Sequence, residues 1–125
     1  MSYEKYKGKE KYHFRYYRRT QYHPFLVVLV TKESGNGKRI MVSGFNMTSS
    51  TLLFNQKPKR FIKLDINPNP QANEDSYVDI NYVQNKPAKF FTRPIRGWRL
   101  SKQDEKKIDD LLQKKKKWLL RVMVS

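Results

Sequence analysis

The sequence predicts a mainly β fold of the α+β class: a small, strongly bent sheet or barrel of about five to seven strands with a C-terminal helix. Two apolar runs rich in β-formers, 25–30 and 40–45, flank a loop at 32–38 that is rich in Gly and Asn. Several further short segments alternate apolar and polar residues. Helical spacing begins only after Ser101, so strands precede a single helix along the chain.

The two apolar runs form the predicted central hairpin. Phe25–Val30 reads FLVVLV, which is apolar on both faces and predicts a central strand with both sides covered. The Gly and Asn residues at 35–37 adopt positive φ easily, as a hairpin loop requires. The open ends of this hairpin, 22–24 and 46–50, would lie side by side on a rigid support. Functional groups are therefore expected there.

The chain before the hairpin mixes tyrosine with lysine and arginine. Residues 1–12 are predicted to form a basic, aromatic N-terminal arm, and residues 13–125 a single domain. His13–Tyr17 is predicted as the first strand, with aromatic side chains inward and cations in solvent. Alternatively, the aromatic side chains stack on bases while the cations hold phosphates.

Short segments follow the hairpin. Thr51–Pro58 is expected to be a crossing loop or a short helical turn, and 60–66 a half-buried strand because it alternates. Two Asn-Pro steps make 67–75 a loop. Residues 77–83 alternate again and predict a strand. The segments that follow are expected to be a turn at 84–87, β structure at 89–92 and a connector at 93–97.

A helix is predicted from Ser101, which is a suitable N-cap, with Asp104 three residues later in the first turn. Apolar residues keep helical spacing after it: Ile108, Leu111, Leu112, and then Trp118 or Leu119. Lys114–Lys117 is either a solvated helix end or a phosphate-contacting patch. Leu119–Val124 either continues the helix or, as we prefer, forms a last short strand.

Composition points to a polyanionic partner. The 125 residues carry a formal net charge of +16 and no cysteine. Nucleic acid is the simplest such partner, and a ribosome-associated, surface-adsorbing or merely lysine-rich soluble protein is the alternative. No apolar run approaches the length of a membrane span, and the N-terminus lacks an apolar signal core. A cytoplasmic protein without membrane contact is expected.

The order of these features resembles the MazF/PemK toxin family. The shared pattern is a polar residue before Pro24, the strand FLVVLV, the strand IMVSGF followed by Thr48, and Leu100-Ser101 opening a helix. Also similar are a strand ending in Asp65 and a strand beginning at Asp75, so the resemblance covers roughly 20–112. It implies an SH3-like (MazF-like) β-barrel, a homodimer, and a sequence-selective endoribonuclease neutralised by a protein antitoxin, here expected to be acidic.

The resemblance carries over residue by residue at a few positions. The family typically has arginine before the strand-opening proline, where this chain has His23. The family threonine matches Thr48. Some members use an arginine and an aspartate two residues apart on the strand matching 77–83. The corresponding positions here are Asp79 and Asn81, so that strand lacks the cation.

RNA cleavage without a metal needs a base, a donor to the phosphorane and an acid. His23 could be base or acid, because imidazole titrates near neutrality. Thr48 could donate to a non-bridging oxygen, and Arg19 or Arg18 could bind the phosphate. His13 is a candidate second acid/base. Each of these residues also has an ordinary structural interpretation, as a strand start, a turn former or a solvated charge.

Two functions are therefore expected: a metal-independent ribonuclease, or a non-catalytic nucleic-acid-binding domain on the same fold. No cofactor is expected, and the two histidines show no metal-ligand spacing. The predicted nucleic-acid-binding residues share a cationic or aromatic side chain and lie before or after the hairpin: Arg15, Tyr17, Arg18, Arg19, Tyr22, Lys57, Lys59 and Arg60.

Overall fold

The computed structural model describes residues 12–20, 23–32 and 39–115. It has six strands, two α-helices and two short 3-10 turns, which confirms the mainly β, α+β class. The strands are β1 His13–Tyr16, β2 Pro24–Lys32, β3 Ile40–Thr48, β4 Phe61–Lys63, β5 Tyr77–Asp79 and β6 Gln84–Pro87. The helices are α1 Thr51–Gln56 and α2 Lys102–Lys114, and the 3-10 turns are Pro58–Arg60 and Ala88–Phe90.

The predicted hairpin is confirmed as the centre of the sheet. Strands β2 and β3 pair antiparallel from Phe25 opposite Asn46 to Lys32 opposite Ile40. The sheet order is β1-β2-β3-β5-β4, and β6 also pairs with β3. The nine-residue β3 therefore has β2 along one edge, while β6 and β5 share the other edge.

Both faces of β2 are buried, as its apolar run predicts. Leu26 packs on one face with Phe14, Phe45, Val78 and Ile108 of α2. Phe25 and Val27 pack on the other face in a cluster with Val42 and Phe91. A register shift between Val27 and Leu29 interrupts the ladder. Burial on both sides is what a strand with no polar face requires.

Two segments differ from expectation. Residues 84–87, expected to turn, form β6 and pair with Met41–Gly44, because the outer edge of β3 there needs a hydrogen-bonding partner. Residues 89–92, expected to be β, contain the end of a 3-10 turn, and only Phe91 forms a bridge, to Tyr17. Long-range pairing decided both outcomes against local propensity.

Two predicted strands are shorter than expected. Strand β4 covers 61–63 rather than 60–66, and β5 covers 77–79 rather than 77–83. Single hydrogen bonds extend their pairing beyond the strands: Leu64 N donates to Ser76 O at 3.0 Å, and Ile80 N donates to Arg60 O at 2.9 Å. The expected loop at 67–75 is confirmed, and the segment at 51–58 forms the short helix α1.

The free edge of β1 is covered by an irregular segment, 90–95, which we call the edge segment. Arg18 N donates to Phe90 O at 3.0 Å, Thr92 N to Tyr16 O at 2.9 Å, and Ile95 N to Phe14 O at 2.7 Å. The edge segment follows β6, which lies on the other side of β3. It therefore links the two sides of the sheet through backbone hydrogen bonds.

Helix α2 begins as predicted. Ser101 Oγ accepts from Asp104 N at 3.1 Å, and Ile108 is fully buried among the core residues. Asp104 does more than the predicted dipole contact: its buried carboxylate accepts from Asp65 N at 2.8 Å and from Ile66 N at 3.2 Å. The predictions for the N-terminal arm to residue 11, the hairpin loop, residues 116–117 and the segment 119–124 fall outside the described residues.

None of the helices in the described ranges combines the length and apolar character that crossing a bilayer requires.

Candidate functional site

The open ends of β2 and β3 border a cavity of about 310 Å³, which we call the first cavity. Its lining includes His23, Pro24, Thr48, Glu74 and Trp98. The structure thus places His23 and Thr48, predicted from the hairpin's open end, in the wall of the same cavity. Antiparallel pairing of Phe25 with Asn46 brings the residues just before β2 close to the residues at the end of β3.

Backbone hydrogen bonds hold His23 at the entrance of β2. His23 N donates to Thr20 O at 3.0 Å, and its carbonyl accepts from Tyr17 N at 3.3 Å. His23 as a whole is exposed to solvent. At the other strand end, Thr48 Oγ1 accepts from Ser50 N at 3.1 Å, so its hydroxyl hydrogen can still be donated to a ligand.

The Asn-Pro loop supplies the far wall of the first cavity. Asn67 Nδ2 donates to Glu74 O at 2.9 Å, and Asn67 Oδ1 accepts from Asn69 N at 3.0 Å. These bonds fix the loop and leave the Glu74 side chain exposed. The sequence identified this segment only as a loop. The presence of Glu74 in the same cavity lining as His23 was therefore missed, because nothing local in the sequence shows that the loop lies near the strand ends.

Two further cavities continue from the first. The second, of about 400 Å³, shares His23, Pro24 and Met47 with the first and adds Tyr17 and Lys86. The third, of about 300 Å³, shares Tyr17, Thr20 and Lys86 with the second and adds Arg19 and Phe90. Neighbouring cavities share wall residues and therefore adjoin one another, and we call the three cavities together the groove.

Tyr17 forms a fixed wall in the middle of the groove. Its hydroxyl donates to Asn46 Oδ1 at 2.5 Å, and its ring lies against Phe25 and Phe91. Burial raises the pKa of Tyr17 to about 12, so the phenol stays neutral at physiological pH. Lys86 Nζ lies 4.9 Å from the ring centroid. Tyr17 therefore offers an aromatic surface with a cation beside it rather than an acid or a base.

The predicted cations are distributed unevenly. Arg19 is exposed and lines the third cavity, whereas the lining of the first cavity, among described residues, includes neither arginine nor lysine. Arg18 Nε donates to Phe91 O at 3.0 Å. Arg15 Nε donates to His13 Nε2 at 2.8 Å, within β1. The structure does not bring Arg19 into the same cavity as His23 and Thr48.

The second group of predicted cations lies elsewhere. Lys57, Lys59 and Arg60, all within the described part of the chain, surround the 3-10 turn before β4 and line none of the three cavities. Arg60 is already paired: its Nη2 and Nε lie 2.8 Å and 3.1 Å from Asp79 Oδ2. Strand β5, which contains Asp79, has no cationic residue of its own. Arg60, in the 3-10 turn before β4, supplies the cation that pairs with Asp79. Tyr22 lies outside the described residues.

His13 does not join His23. It is 6% exposed, on β1, and its side chain lines none of the groove cavities. Burial, and secondly the charge of Arg15, lower the pKa of His13 to about 4. A neutral, buried imidazole that accepts a hydrogen bond from Arg15 is a structural group. The expectation that His13 could be a second acid/base is therefore wrong.

The buried His13 predicts an acid-sensitive stability. In the unfolded chain the imidazole pKa is about 6.5, so as pH falls toward 4 the unfolded state takes up a proton that the folded state refuses. Above about pH 6.5 the imidazole is neutral in both states and costs no stability. As the pH falls to about 4, we expect the free energy of unfolding to decrease by about 2–3 kcal/mol because of this residue.

The measurement is urea unfolding across this pH range for the native protein and for His13→Gln, which keeps an acceptor for Arg15. The carboxylates titrate alike in both proteins, so the difference between the two curves isolates the imidazole. We expect the variant's free energy of unfolding to fall less steeply toward acid. Parallel curves would show that His13 is not held neutral.

Among the described residues there is no group of three or more His, Asp or Glu side chains placed to hold a metal ion. Comparison of the chain with protein-family models, curated proteins and solved structures found no match in any of the three searches.

Proposed function

We propose that the protein is a metal-independent endoribonuclease that cleaves single-stranded RNA bound in the groove. The observation that carries this proposal is that His23, Thr48 and Glu74, which bear an imidazole, a hydroxyl and a carboxyl group, line one cavity. The chain as a whole has a formal net charge of +16, which attracts a phosphate backbone.

The three side chains have the chemistry that transesterification needs. Glu74 takes the proton of the ribose 2′-hydroxyl, and the 2′-oxygen forms a bond to phosphorus. The bond from phosphorus to the 5′-oxygen breaks, and protonated His23 gives that oxygen its proton. Thr48 donates a hydrogen bond to a non-bridging oxygen as negative charge develops. The products are a 2′,3′-cyclic phosphate and a 5′-hydroxyl, and a second turnover requires the two groups to exchange a proton with water.

The cations bind the RNA strand at neighbouring phosphates rather than at the phosphate that reacts. Arg19 and Lys86 line the third cavity, so they would hold phosphates next to the one that is cut. Their contribution is to bind and orient RNA, which converts the attack into a positioned, effectively unimolecular step.

The resemblance to MazF/PemK toxins supports the same proposal from the sequence side. It extends the proposal to an SH3-like barrel, a homodimer, and an acidic antitoxin in the same cytoplasm. Strand β3 pairs with β2 along one edge and with β5 and β6 along the other, and this pairing supports the proposal of a bent, barrel-like sheet. The edge segment, which follows β6 and bonds to β1, also favours that architecture.

A second candidate is a non-catalytic RNA-binding domain on the same fold. The observation that favours it is the position of Arg19, which lines the third cavity instead of the cavity of His23 and Thr48. Without a guanidinium at the reacting phosphate, the groove could bind RNA and leave it intact.

Cleavage assays separate the two candidates. Purified protein is incubated with a mixture of single-stranded RNAs in EDTA, and products are tested for 2′,3′-cyclic phosphate. We expect discrete cuts, reduced about 100-fold or more in His23→Ala and in Glu74→Gln, which is a typical general acid–base contribution. The matched control is Asp75→Asn, the next residue, whose carboxylate lies 3.6 Å from Lys63 Nζ and should not matter.

The alternative gives a different result. Intact RNA that binds with a steep salt dependence, in the native protein and in His23→Ala alike, would support the binding domain and contradict the enzyme. Equal activity of all the variants would assign any cleavage to a contaminant.

A further inference from the structure

The third cavity has aromatic walls that neither cleavage nor phosphate binding explains. Phe90 is 47% exposed, so much of its side chain is open to solvent. It lines this cavity together with Tyr17, Arg19 and Lys86. The cavity thus combines aromatic rings with cationic groups, at the end of the groove away from the Asn-Pro loop.

The backbone holds Phe90 rigidly although its ring is exposed. Its carbonyl accepts from Arg18 N at 3.0 Å, which ties it to the end of β1. The next residue, Phe91, is 1% exposed and packs 4.7 Å from Phe25, between ring centroids. A ring that is presented to solvent from such an anchored backbone loses little entropy when a planar ligand stacks on it.

Cations accompany both rings. Lys89 Nζ lies 5.6 Å from the centroid of Phe90, and Lys86 Nζ lies 4.9 Å from the centroid of Tyr17. A ligand that fits must have a planar apolar part for the rings and negative charge for the ammonium and guanidinium groups. One nucleotide of a single strand has both: a base that can leave the stack, and a phosphate on either side.

We propose that the third cavity is a base-stacking subsite, in which one unstacked base of single-stranded RNA lies on Phe90 while Arg19 and Lys86 contact the adjoining phosphates. The inference rests on the proposed function, because it takes the groove as the path of the RNA. It adds that a nucleotide other than the one being cleaved is recognised, through its π-face rather than through base-edge hydrogen bonds. Tolerance of several bases at that position is expected.

The test measures binding of a fluorescein-labelled 2′-O-methyl oligonucleotide of about ten residues, within the usual site size of such grooves. Its blocked 2′-oxygen cannot attack phosphorus, so binding is measured without cleavage. We expect Phe90→Ala to weaken binding about tenfold or more, as the loss of one stacked base does. The matched control is Tyr82→Ala, which removes an aromatic side chain that is 67% exposed and outside the three cavities.

A series of oligonucleotides with a single abasic residue at each position locates the base. At one position the abasic change should weaken binding to the native protein but not to Phe90→Ala, since both changes remove the same contact. Equal effects on both proteins at every position would overturn the subsite. Equal losses of oligonucleotide affinity in Phe90→Ala and Tyr82→Ala would also overturn it. Binding of adenosine monophosphate as tight as that of the oligonucleotide would overturn it too, because it would identify a mononucleotide pocket instead.

The phosphate contacts are tested by salt titration. Arg19→Gln should lower the slope of log affinity against log salt by about one, with Arg96→Gln, another exposed arginine, as the unchanged control. These experiments distinguish failure of the subsite proposal from failure of the proposed ribonuclease function. A protein that cuts no RNA but shows Phe90-dependent binding lacks only the enzyme function. Cleavage together with full oligonucleotide binding by Phe90→Ala would exclude only the subsite.

Discussion

Replacing Gly44 with alanine is expected to abolish stable folding. Gly44 lies in β3 opposite Val27, in the middle of the central strand pair. An added Cβ would lie 1.8 Å from Leu26 O and 2.9 Å from Leu26 C, which are backbone atoms of β2. It would also lie 2.9 Å from Phe25 Cε2. Backbone in the middle of a paired strand cannot move aside without separating the ladder.

The cost should exceed that of ordinary overpacking, which is about 1–3 kcal/mol when side chains can adjust. Here two strands and the core clusters on both faces must shift, so we expect a loss of at least about 4 kcal/mol. That is comparable to the whole stability of a small domain. The measurement is soluble yield, followed by urea unfolding monitored by circular dichroism.

Gly97→Ala is the matched control for this substitution. Gly97 has φ of 81°, but nothing lies within 4 Å of an added Cβ. Its replacement should cost about 1 kcal/mol from backbone strain alone. If Gly44→Ala were no more destabilising than Gly97→Ala, the close approach of β2 and β3 at this position would be wrong.

The second large effect is expected at Asp104. Its fully buried carboxylate accepts hydrogen bonds from two backbone amides, those of Asp65 and Ile66, and lies 3.5 Å from Lys107 Nζ. Asp104→Ala leaves two backbone donors of partly buried hydrogen bonds without their acceptor. Each unsatisfied donor costs about 1–3 kcal/mol, so we expect about 3 kcal/mol of lost stability. The contact joins α2 to the chain after β4, and its loss should loosen the helix first.

Two further variants sharpen this measurement. Asp104→Asn keeps one acceptor oxygen and should lose less than alanine does, while Asp110→Ala, on the exposed side of the same helix, should change stability by less than about 0.5 kcal/mol. Hydrogen exchange of the Asp65 and Ile66 amides should accelerate in Asp104→Ala and not in Asp110→Ala. Unchanged exchange in both variants would contradict the buried contact.

Local signals predicted the parts of the fold that depend on local chemistry. The hairpin followed from two apolar runs around a Gly/Asn loop, and the start of α2 followed from Ser101. Strand β6 could not be predicted, because Gln84–Pro87 has little β propensity and is ordered by the edge of β3. The buried role of Asp104 was missed for the same reason: its partners are 38 and 39 residues away.

The residues of the candidate site also divide into those that local sequence predicted and those that only tertiary contacts bring to the site. His23 and Thr48 were predicted because antiparallel pairing fixes what lies at the two ends of a hairpin. Glu74, Lys86 and Phe90 reach the groove from a loop, an edge strand and a 3-10 turn, whose positions depend on tertiary contacts. Lys57, Lys59 and Arg60 line none of the three cavities, so their predicted contact with nucleic acid stays a prediction.

The edge segment also bears on self-association. An outermost strand normally offers a row of amide and carbonyl groups to which a strand of another molecule can add. Along β1 the carbonyls of Phe14 and Tyr16 already accept hydrogen bonds from the same chain, and just after β1 the amide of Arg18 donates one to Phe90 O. Fibre-like growth from this side of the molecule therefore requires residues 90–95 to detach first, so the protein resists it for as long as it stays folded.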